Sequence, residues 1–335
     1  MIQHLKPLAG RLAPQLIALA VILTLNVLAF PGFFDIEIQN GRLYGSLIDV
    51  LNRGAPVALL AVGMTLVIAT KGIDLSVGAV IAITGAVAAA TISGGASLLY
   101  TLGLVLVTGL LCGLWNGVLV AVLGIQPIIA TLVLMVAGRG IAQLITEGTI
   151  LTFTDPGLVF IGSGALFLLP MPVLIFIAFA IAIAFLVRGT ALGMLVESVG
   201  INRRASTLSG VGTPVLLIVV YGLCSLAATI AGLIVAADIK GADANNAGLW
   251  LELDAILAVV VGGNSLLGGR FSIAGSLLGA LIIQSINTGI LLSGFPPEFN
   301  LIIKAAIIVI ILVIQSPALQ QLGAYVRRAP SGAGE

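Results

Sequence analysis

The chain has 335 residues, of which 60% are hydrophobic and 8% charged, and its mean hydropathy is +1.25. A soluble domain cannot bury so much apolar surface and still cover itself with polar side chains, so this composition excludes a soluble globular protein. Lys and Arg (14) nearly balance Asp and Glu (13), so the charge gives no reason to expect a nucleic-acid partner.

Motifs for several chemistries are absent from the sequence. None of the lysines follows a glycine, so there is no G-x-x-x-x-G-K-[ST] phosphate loop, and HExxH, GxSxG and CxxC do not occur. The only histidine is His4, and Cys112 and Cys224 lie inside apolar runs, which favours helix packing over a disulfide or metal site. We therefore expect no catalytic site, no metal and no cofactor bound by this chain.

Runs of about 20 apolar residues recur along the chain and predict an all-α, polytopic membrane protein. The ten predicted spans are 14–34, 44–70, 73–92, 97–123, 127–146, 168–187, 213–236, 251–264, 271–292 and 300–317. The span 251–264 is short and ends in Gly262-Gly263, which predicts a broken or partly inserted helix. Residues 1–13 form a predicted N-terminal segment, 14–317 the transmembrane domain with a polar loop at 188–212, and 318–335 a C-terminal tail.

The distribution of Lys and Arg predicts the orientation of these spans. The segments on the side of both termini hold Lys6, Arg11, Lys71, Arg188, Arg203, Arg204, Arg270, Arg327 and Arg328, and the other side holds Arg42, Arg53, Lys240 and Lys304. By the positive-inside rule, both termini and the 188–212 loop are predicted to be cytoplasmic.

Polar side chains within the predicted spans are few, which makes each a candidate for a translocation path. Asn116 lies in the fourth span, Arg139 and Gln143 follow each other at i+4 in the fifth, and Gln284 and Asn287 are one turn apart in the ninth. Arg139 could instead point to the membrane surface or pair with Glu147. The amides suit a neutral polyol, because they donate and accept hydrogen bonds, but they equally suit contacts between helices.

The polar loop at 188–212 has the signals of a short helix. Asn202 is a suitable N-cap, and Gly210 ends a predicted helix over 203–209, in which Ala205 and Leu208 share a face. Arg203 and Arg204 in its first turn oppose the helix dipole, so the helix is poorly built to stand alone. Docking into a partner and a plain positive loop both remain open from the residues alone.

The predicted outer loop 238–254 is dense in hydrogen-bonding groups. It contains Asp243, Asn245, Asn246 and Trp250. A Trp beside Asp and Asn can hold a sugar, but Trp also anchors loops at the membrane interface. We interpret the loop as an anchor or a docking surface for a binding protein, with a sugar site as the alternative.

The chain resembles the permeases of ribose-type ABC sugar importers. The resemblance rests on Gly200, Asn202, Ala205 and Gly210 in the polar loop and on the stretches PVALLAVGMTLVIATKGIDLSVGA (56–79), WNGVLVAVLGIQPIIATLVLMVAGRG (115–140) and LDAILAVVVGGNSLLGGRFSIAGSLLGA (253–280). Within that family it looks most like galactofuranose importer permeases, through GRLYGSLIDVLNR (41–53), AADIKGADANNAGLWLELDA (236–255) and NTGILLSGFPPE (287–298).

The resemblance implies an ABC importer permease fold whose cytoplasmic helix couples to an ATPase. It implies that the coupling region contains Glu197, Gly200, Asn202, Arg203, Arg204, Ala205, Leu208 and Gly210. The implied partners are an ABC ATPase that binds ATP and Mg, a second permease subunit, identical or related, and a periplasmic sugar-binding protein. The implied location is the bacterial inner membrane.

An ion-coupled secondary transporter is the rival hypothesis. That class relies on inverted repeats and on Asp or Glu in the middle of spans. By sequence position, every Asp and Glu here lies in a predicted loop or near a span end, which favours the importer.

Overall fold

The structure, a computed structural model, describes residues 5–39, 41–294 and 297–315. The predicted C-terminal tail (318–335) lies outside the described residues, as do residues 1–4 of the predicted N-terminal segment. Residues 5–13 of that segment are helical, because the first helix begins at Leu5.

The described residues form thirteen helices and six short strands. The helices are α1 (Leu5–Ala29), α2 (Ser46–Ala69), α3 (Val77–Ser93), α4 (Leu98–Ala121), α5 (Pro127–Ile145), α6 (Pro156–Ser163), α7 (Met171–Gly189), α8 (Leu192–Ile201), α9 (Arg203–Leu208), α10 (Thr213–Ile239), α11 (Leu251–Val261), α12 (Ile273–Leu292) and α13 (Pro297–Gln315). The strands are β1 (Glu37–Gln39), β2 (Arg42–Tyr44), β3 (Leu151–Thr152), β4 (Ala165–Leu166), β5 (Leu169–Pro170) and β6 (Gly241–Ala242).

Each of the ten predicted spans coincides with a helix, namely α1 to α5, α7 and α10 to α13. Seven of these helices are long and apolar enough to cross a membrane by length and composition: α1, α2, α4, α5, α7, α10 and α12. The predicted all-α membrane architecture is therefore confirmed in outline, and the shorter helices are where the structure adds detail.

The third predicted span starts later than expected. It is predicted from residue 73, whereas α3 begins at Val77, since residues 72–74 are irregular and residues 75–76 form a turn. Asp74 Oδ1 accepts hydrogen bonds from the Ser76 amide at 2.9 Å and from the Ser76 hydroxyl at 2.6 Å. Such local bonds compete with helix formation and favour a helix start immediately afterwards.

The predicted short span before Gly262-Gly263 is confirmed as α11. It has 11 residues, so it extends about 16 Å at about 1.5 Å per residue, roughly half of a bilayer core of about 30 Å. It begins after Trp250 at a φ of +68° and ends at Gly262, next to Gly263 at a φ of +86°. The helix is therefore bounded by turns at both ends.

The strands mark one end of the bundle and α9 marks the other. The three antiparallel pairs are β1–β2, β3–β6 and β4–β5, and the Leu43 amide of β2 donates to the Leu168 carbonyl beside β5 at 2.9 Å. We call this end the ribbon end. Helix α2 runs from it to the opposite end, the α9 end, where Gly200 of α8 lies against the Ala69 carbonyl.

Helices α2, α10 and α12 form the centre of the bundle. Helix α10 packs on α2, α3 and α4, and α12 packs on α2 and α11. Helices α1, α5 and α7 are exposed over most of their length, with side chains such as Leu25 and Phe185 on the outside. The apolar surface of α1 and α7 suits contact with lipid chains.

Glycines spaced four residues apart in α4, at Gly109, Gly113 and Gly117, allow α4 to approach α10 closely. A Cβ on Gly113 of α4 would lie 2.8 Å from Ser225 Cβ of α10, and one on Gly117 would lie 2.8 Å from Ile218 Cα. The Ser225 hydroxyl donates to the Gly109 carbonyl at 2.6 Å. Because lipid does not push helices together as water does, this contact depends on packing and hydrogen bonds.

We expect Gly113→Ala to lower the melting temperature of the purified protein, because the added methyl would force α4 and α10 apart. Overpacking of this kind costs about 1–3 kcal/mol. Gly103→Ala is the matched control, since Gly103 lies in the same helix with nothing within 4 Å of an added Cβ. Equal melting temperatures for the two variants would contradict the α4–α10 contact.

Candidate functional site

The polar loop between α7 and α10 folds into α8 and α9, and Asn202 separates the two. The Asn202 side chain caps α9 by accepting a hydrogen bond from the Ala205 amide at 3.0 Å. Gly210 follows the helix at a φ of +88°, a backbone conformation that favours glycine. The short capped helix predicted at 203–209 is therefore present, as Arg203–Leu208.

One face of this element is open. Ile201 and Leu208 are 66% and 82% exposed, and Arg204 and Ala205 are exposed beside them. We call these four residues the α9 surface. Arg203 is exposed as well, and its guanidinium donates to the Ala121 carbonyl at the end of α4 at 3.4 Å. Both arginines of the predicted coupling region therefore lie at the surface at this end of the bundle.

The base of α9 is fixed to the core of the bundle through Gly200. A Cβ on Gly200 would collide with the Ala69 carbonyl and would lie 2.6 Å from the Gly269 amide nitrogen. That amide donates to the Ala69 carbonyl at 2.9 Å, and Lys71 Nζ donates to the Ile201 carbonyl at 3.1 Å. The end of α2 and the link from α11 to α12 thus meet α8 directly below α9.

Glu197, predicted as part of the coupling region, does not reach the α9 surface. It is half-buried and lines a cleft of about 820 Å³, to which Arg188 and Arg270 also contribute. These three charged side chains make no ion pair in the part of the chain that the structure describes.

A second polar region lies along α5. Arg139 Nη1 donates to two carbonyls of the segment after β6, those of Ala244 at 3.0 Å and Ala247 at 2.6 Å. Gln143, one turn further on, donates to Asn245 Oδ1 at 2.7 Å. Neither alternative predicted for Arg139, a surface position or a pair with Glu147, is observed.

Residues 243–250, which we call the re-entrant segment, do not form a loop outside the bundle as predicted for 238–254. Ala242 packs in the cluster of Ala88 and Ala89 near the end of α3, and Ala244 packs with Ala82 and Ile83. Further on, a Cβ on Gly78, at the start of α3, would lie 2.6 Å from the Gly248 carbonyl. The segment therefore runs back along α3 from the ribbon end into the middle of the helical layer.

Asp243 gives the re-entrant segment its turn. Its Oδ1 accepts from the amides of Asn245 at 3.0 Å and Asn246 at 3.2 Å, and its Oδ2 accepts from Asn246 Nδ2 at 2.7 Å. Trp250 ends the segment with its ring 49% exposed. Asp243 is thus used in holding the backbone, whereas Asn245, Asn246 and Trp250 lie at the surface of this chain.

The remaining candidates for a translocation path lie inside the chain. Asn116 is fully buried and donates to the Ser76 hydroxyl at 2.8 Å, beside Asp74. Gln284 is 7% exposed and donates to the Thr288 hydroxyl at 3.4 Å. Asn287 is half-buried on the same helix. Asn116 thus links α4 to the start of α3, whereas Gln284 bonds within α12 and packs against Gly54 of α2.

Two buried acidic groups, Asp254 and Asp74, were not predicted from the sequence. Lys304 of α13 pairs with Asp254 of α11 at 2.9 Å, with both side chains about nine-tenths buried, and it is the only ion pair among residues 5–39, 41–294 and 297–315. Asp74 is also buried. The available signal was Lys304 itself, since a cation inside an apolar helix requires a partner.

Comparison with known proteins identifies the family. Residues 46–312 match the family described as the permease component of branched-chain amino acid transport systems. The chain belongs to this permease family. The family and the apolar helices together make it a multi-pass membrane protein.

Three of the curated relatives of this permease are sugar permeases by name. It is 61% identical over 303 residues, 90% of this chain and 89% of the relative, to the galactofuranose transporter permease protein YtfT of Escherichia coli. It is 41% identical over 295 residues, 87% of this chain and 83% of the relative, to the fructose import permease protein FruF of Bifidobacterium longum. It is 38% identical over 306 residues, 90% and 92% of the two chains, to the ribose import permease protein RbsC of Escherichia coli. No solved structure matches the permease.

We expect Arg139→Met to loosen the re-entrant segment, because two carbonyls lose a charged donor. Hydrogen bonds from charged groups are worth about 1.5–3 kcal/mol each, so exchange of the Ala247 and Leu249 amides should accelerate about tenfold or more. Hydrogen–deuterium exchange with mass spectrometry measures this. Arg188→Met is the control, since Arg188 is exposed, and exchange unchanged from wild type in Arg139→Met would contradict the anchoring role.

Proposed function

We propose that this chain is the permease subunit of a bacterial ABC importer for a monosaccharide, with galactofuranose as the first candidate. The observation that carries the proposal is the 61% identity, over 90% of this chain, to a protein named as a galactofuranose transporter permease. The weaker identities to fructose and ribose import permeases support the broader class of monosaccharides.

The proposed system places the permease in the inner membrane with both termini in the cytoplasm. This orientation is supported by the distribution of Lys and Arg and by the even number of predicted spans. The α9 end then faces the cytoplasm and the ribbon end faces the periplasm, where a sugar-binding protein delivers the sugar. ATP and Mg are bound by a separate ATPase, and the permease itself uses no cofactor.

The α9 surface is the proposed docking site for that ATPase. Ile201, Ala205 and Leu208 offer an apolar contact with Arg204 at its edge, and docking of this kind buries an amphipathic helix in a partner's groove. Because Gly200 packs on Ala69 and Gly269, movement of α9 would press on the end of α2 and on the link that leads into α12. We propose that this contact transmits closure of the ATPase to the membrane helices.

An ion-coupled transporter remains the rival function, and the buried Asp74 and Asp254 are the groups that it would use. The energy source separates the two functions. We expect vesicles that contain the permease, its ATPase and binding protein to take up galactofuranose only when loaded with ATP. Robust uptake driven by a proton or sodium gradient without ATP would refute the importer.

We expect Leu208→Asp to abolish both co-purification of the ATPase and sugar uptake, while the melting temperature of the permease stays within about 2 °C of wild type. The reason is that Leu208 is 82% exposed, so a charge there disturbs a partner and not the fold. Leu99→Asp is the control, because Leu99 is 81% exposed at the opposite end of the bundle. If the Leu208→Asp variant still co-purifies with the ATPase, α9 is not the docking site.

A further inference from the structure

We propose that the sugar crosses the membrane along the face formed by Arg139, Gln143, Asn245, Asn246 and Trp250, with a second permease subunit closing the opposite side. We call these five residues the polar face. This inference rests on the proposed function, since it names the route of the imported sugar.

The re-entrant segment reaches the middle of the helical layer. Helix α3 begins near the middle of the helical layer, because Ser76, just before it, bonds to Asn116 within α4, and Gly72 packs against the Tyr221 hydroxyl within α10. Gly248 meets Gly78 at the start of α3, so the segment descends to the same level.

The re-entrant segment is exposed on the outside of the single chain. Residues 243–250 are not helical, and Asn245, Asn246, Leu249 and Trp250 are exposed in the single chain. Irregular backbone and amide side chains at this depth cannot face lipid chains, because hydrocarbon offers no hydrogen bonds. The polar face must therefore contact protein or water. A single chain leaves it open, so another membrane subunit has to enclose it.

The polar face offers hydrogen-bond donors and acceptors that have no partner within the described residues. Within the described residues, Gln143 Oε1, Asn245 Nδ2 and Asn246 Oδ1 have no hydrogen-bond partner, although the other ends of these amides do. The two carboxylate oxygens of Asp243 are already occupied by backbone and side-chain donors. Free donors and acceptors beside a half-exposed Trp ring suit a neutral, polyhydroxylated molecule with one apolar face.

The other outward faces of the bundle differ in composition. Helices α1 and α7 expose Ile17, Leu25, Ile181 and Phe185, and α4 exposes Leu110. These faces suit lipid. The contrast favours the polar face as the side turned toward the second subunit and the route.

Transport kinetics test the sugar contact. We expect Gln143→Leu and Asn246→Leu each to raise the apparent KM for galactofuranose by about threefold to tenfold. Trp250→Leu should raise it by about tenfold or more. Asn246→Gln, which keeps both amide functions, should recover most of the affinity. Thr108→Val on the exposed side of α4 is the control and should match wild type. Wild-type kinetics in all three leucine variants would overturn the proposal.

Chemical labelling tests the face without relying on transport. In a Cys112→Ala background, we expect Asn246→Cys to react with a membrane-impermeant, positively charged methanethiosulfonate reagent, because the thiolate forms only where water reaches it. Galactofuranose supplied with the binding protein should slow the reaction. Leu110→Cys on the apolar face of α4 should stay unreactive, since Leu110 is exposed among apolar residues. An Asn246 variant as unreactive as the Leu110 variant would overturn the inference.

The two experiments separate this inference from the proposed function. Absence of ATP-driven sugar uptake by the wild-type system would refute the importer. Labelling of Asn246→Cys would then still support a water-lined face, whereas absence of labelling in an active transporter would refute the route alone.

Discussion

The contact between Gly78 and Gly248 brings the first turn of α3 against the re-entrant segment. A Cβ on Gly78 would lie 2.6 Å from the Gly248 carbonyl, so only glycine on both sides allows the approach. In a membrane, backbone groups that leave a helix must find partners inside the protein. The link into α3 solves this problem through Thr131 of α5, which accepts from the Leu75 amide at 3.1 Å, and the re-entrant segment solves it through Arg139 of the same helix.

Two charged side chains hold the start of α3 and the re-entrant segment in place. Asp74 holds the start of α3 through Ser76, and Arg139 holds the carbonyls of Ala244 and Ala247. Each of these groups is costly to bury alone and is paired here with backbone or side-chain partners. The arrangement leaves amides and a Trp ring at the surface at a depth where lipid would be expected, and this is why the polar face needs a second subunit.

Close backbone contacts also join the middle of the bundle to the α9 end. Gly200 lets α8 touch the last carbonyl of α2, and the Gly269 amide bonds to that carbonyl. A residue with a side chain at 200 would separate α9 from both α2 and the link to α12. The α9 surface and the core are therefore joined by backbone contacts, which transmit displacement better than flexible side chains.

Much of this architecture could be predicted from the sequence, and the reason is that its signals are local. Apolar runs predicted every helix that spans the bundle, Gly262-Gly263 predicted the short α11, and Asn202 with Gly210 predicted α9. Each depends on residues within a turn or two of each other. The spacing of Gly109, Gly113 and Gly117 likewise favours a close helix contact, although only the structure shows that α10 is the partner.

The tertiary structure alone decided which polar groups meet. Arg139 bonds to carbonyls more than 100 residues away, and Lys304 finds Asp254 across 50 residues. No spacing in the sequence reports such pairs. The sequence predicted that residues 238–254 lie outside the bundle, because a polar stretch between apolar runs normally lies in water. The sequence by itself determined a membrane permease with a short capped helix at Arg203–Leu208. The tertiary structure decided that residues 243–250 turn back into the bundle, because there their carbonyls accept hydrogen bonds from Arg139 of α5.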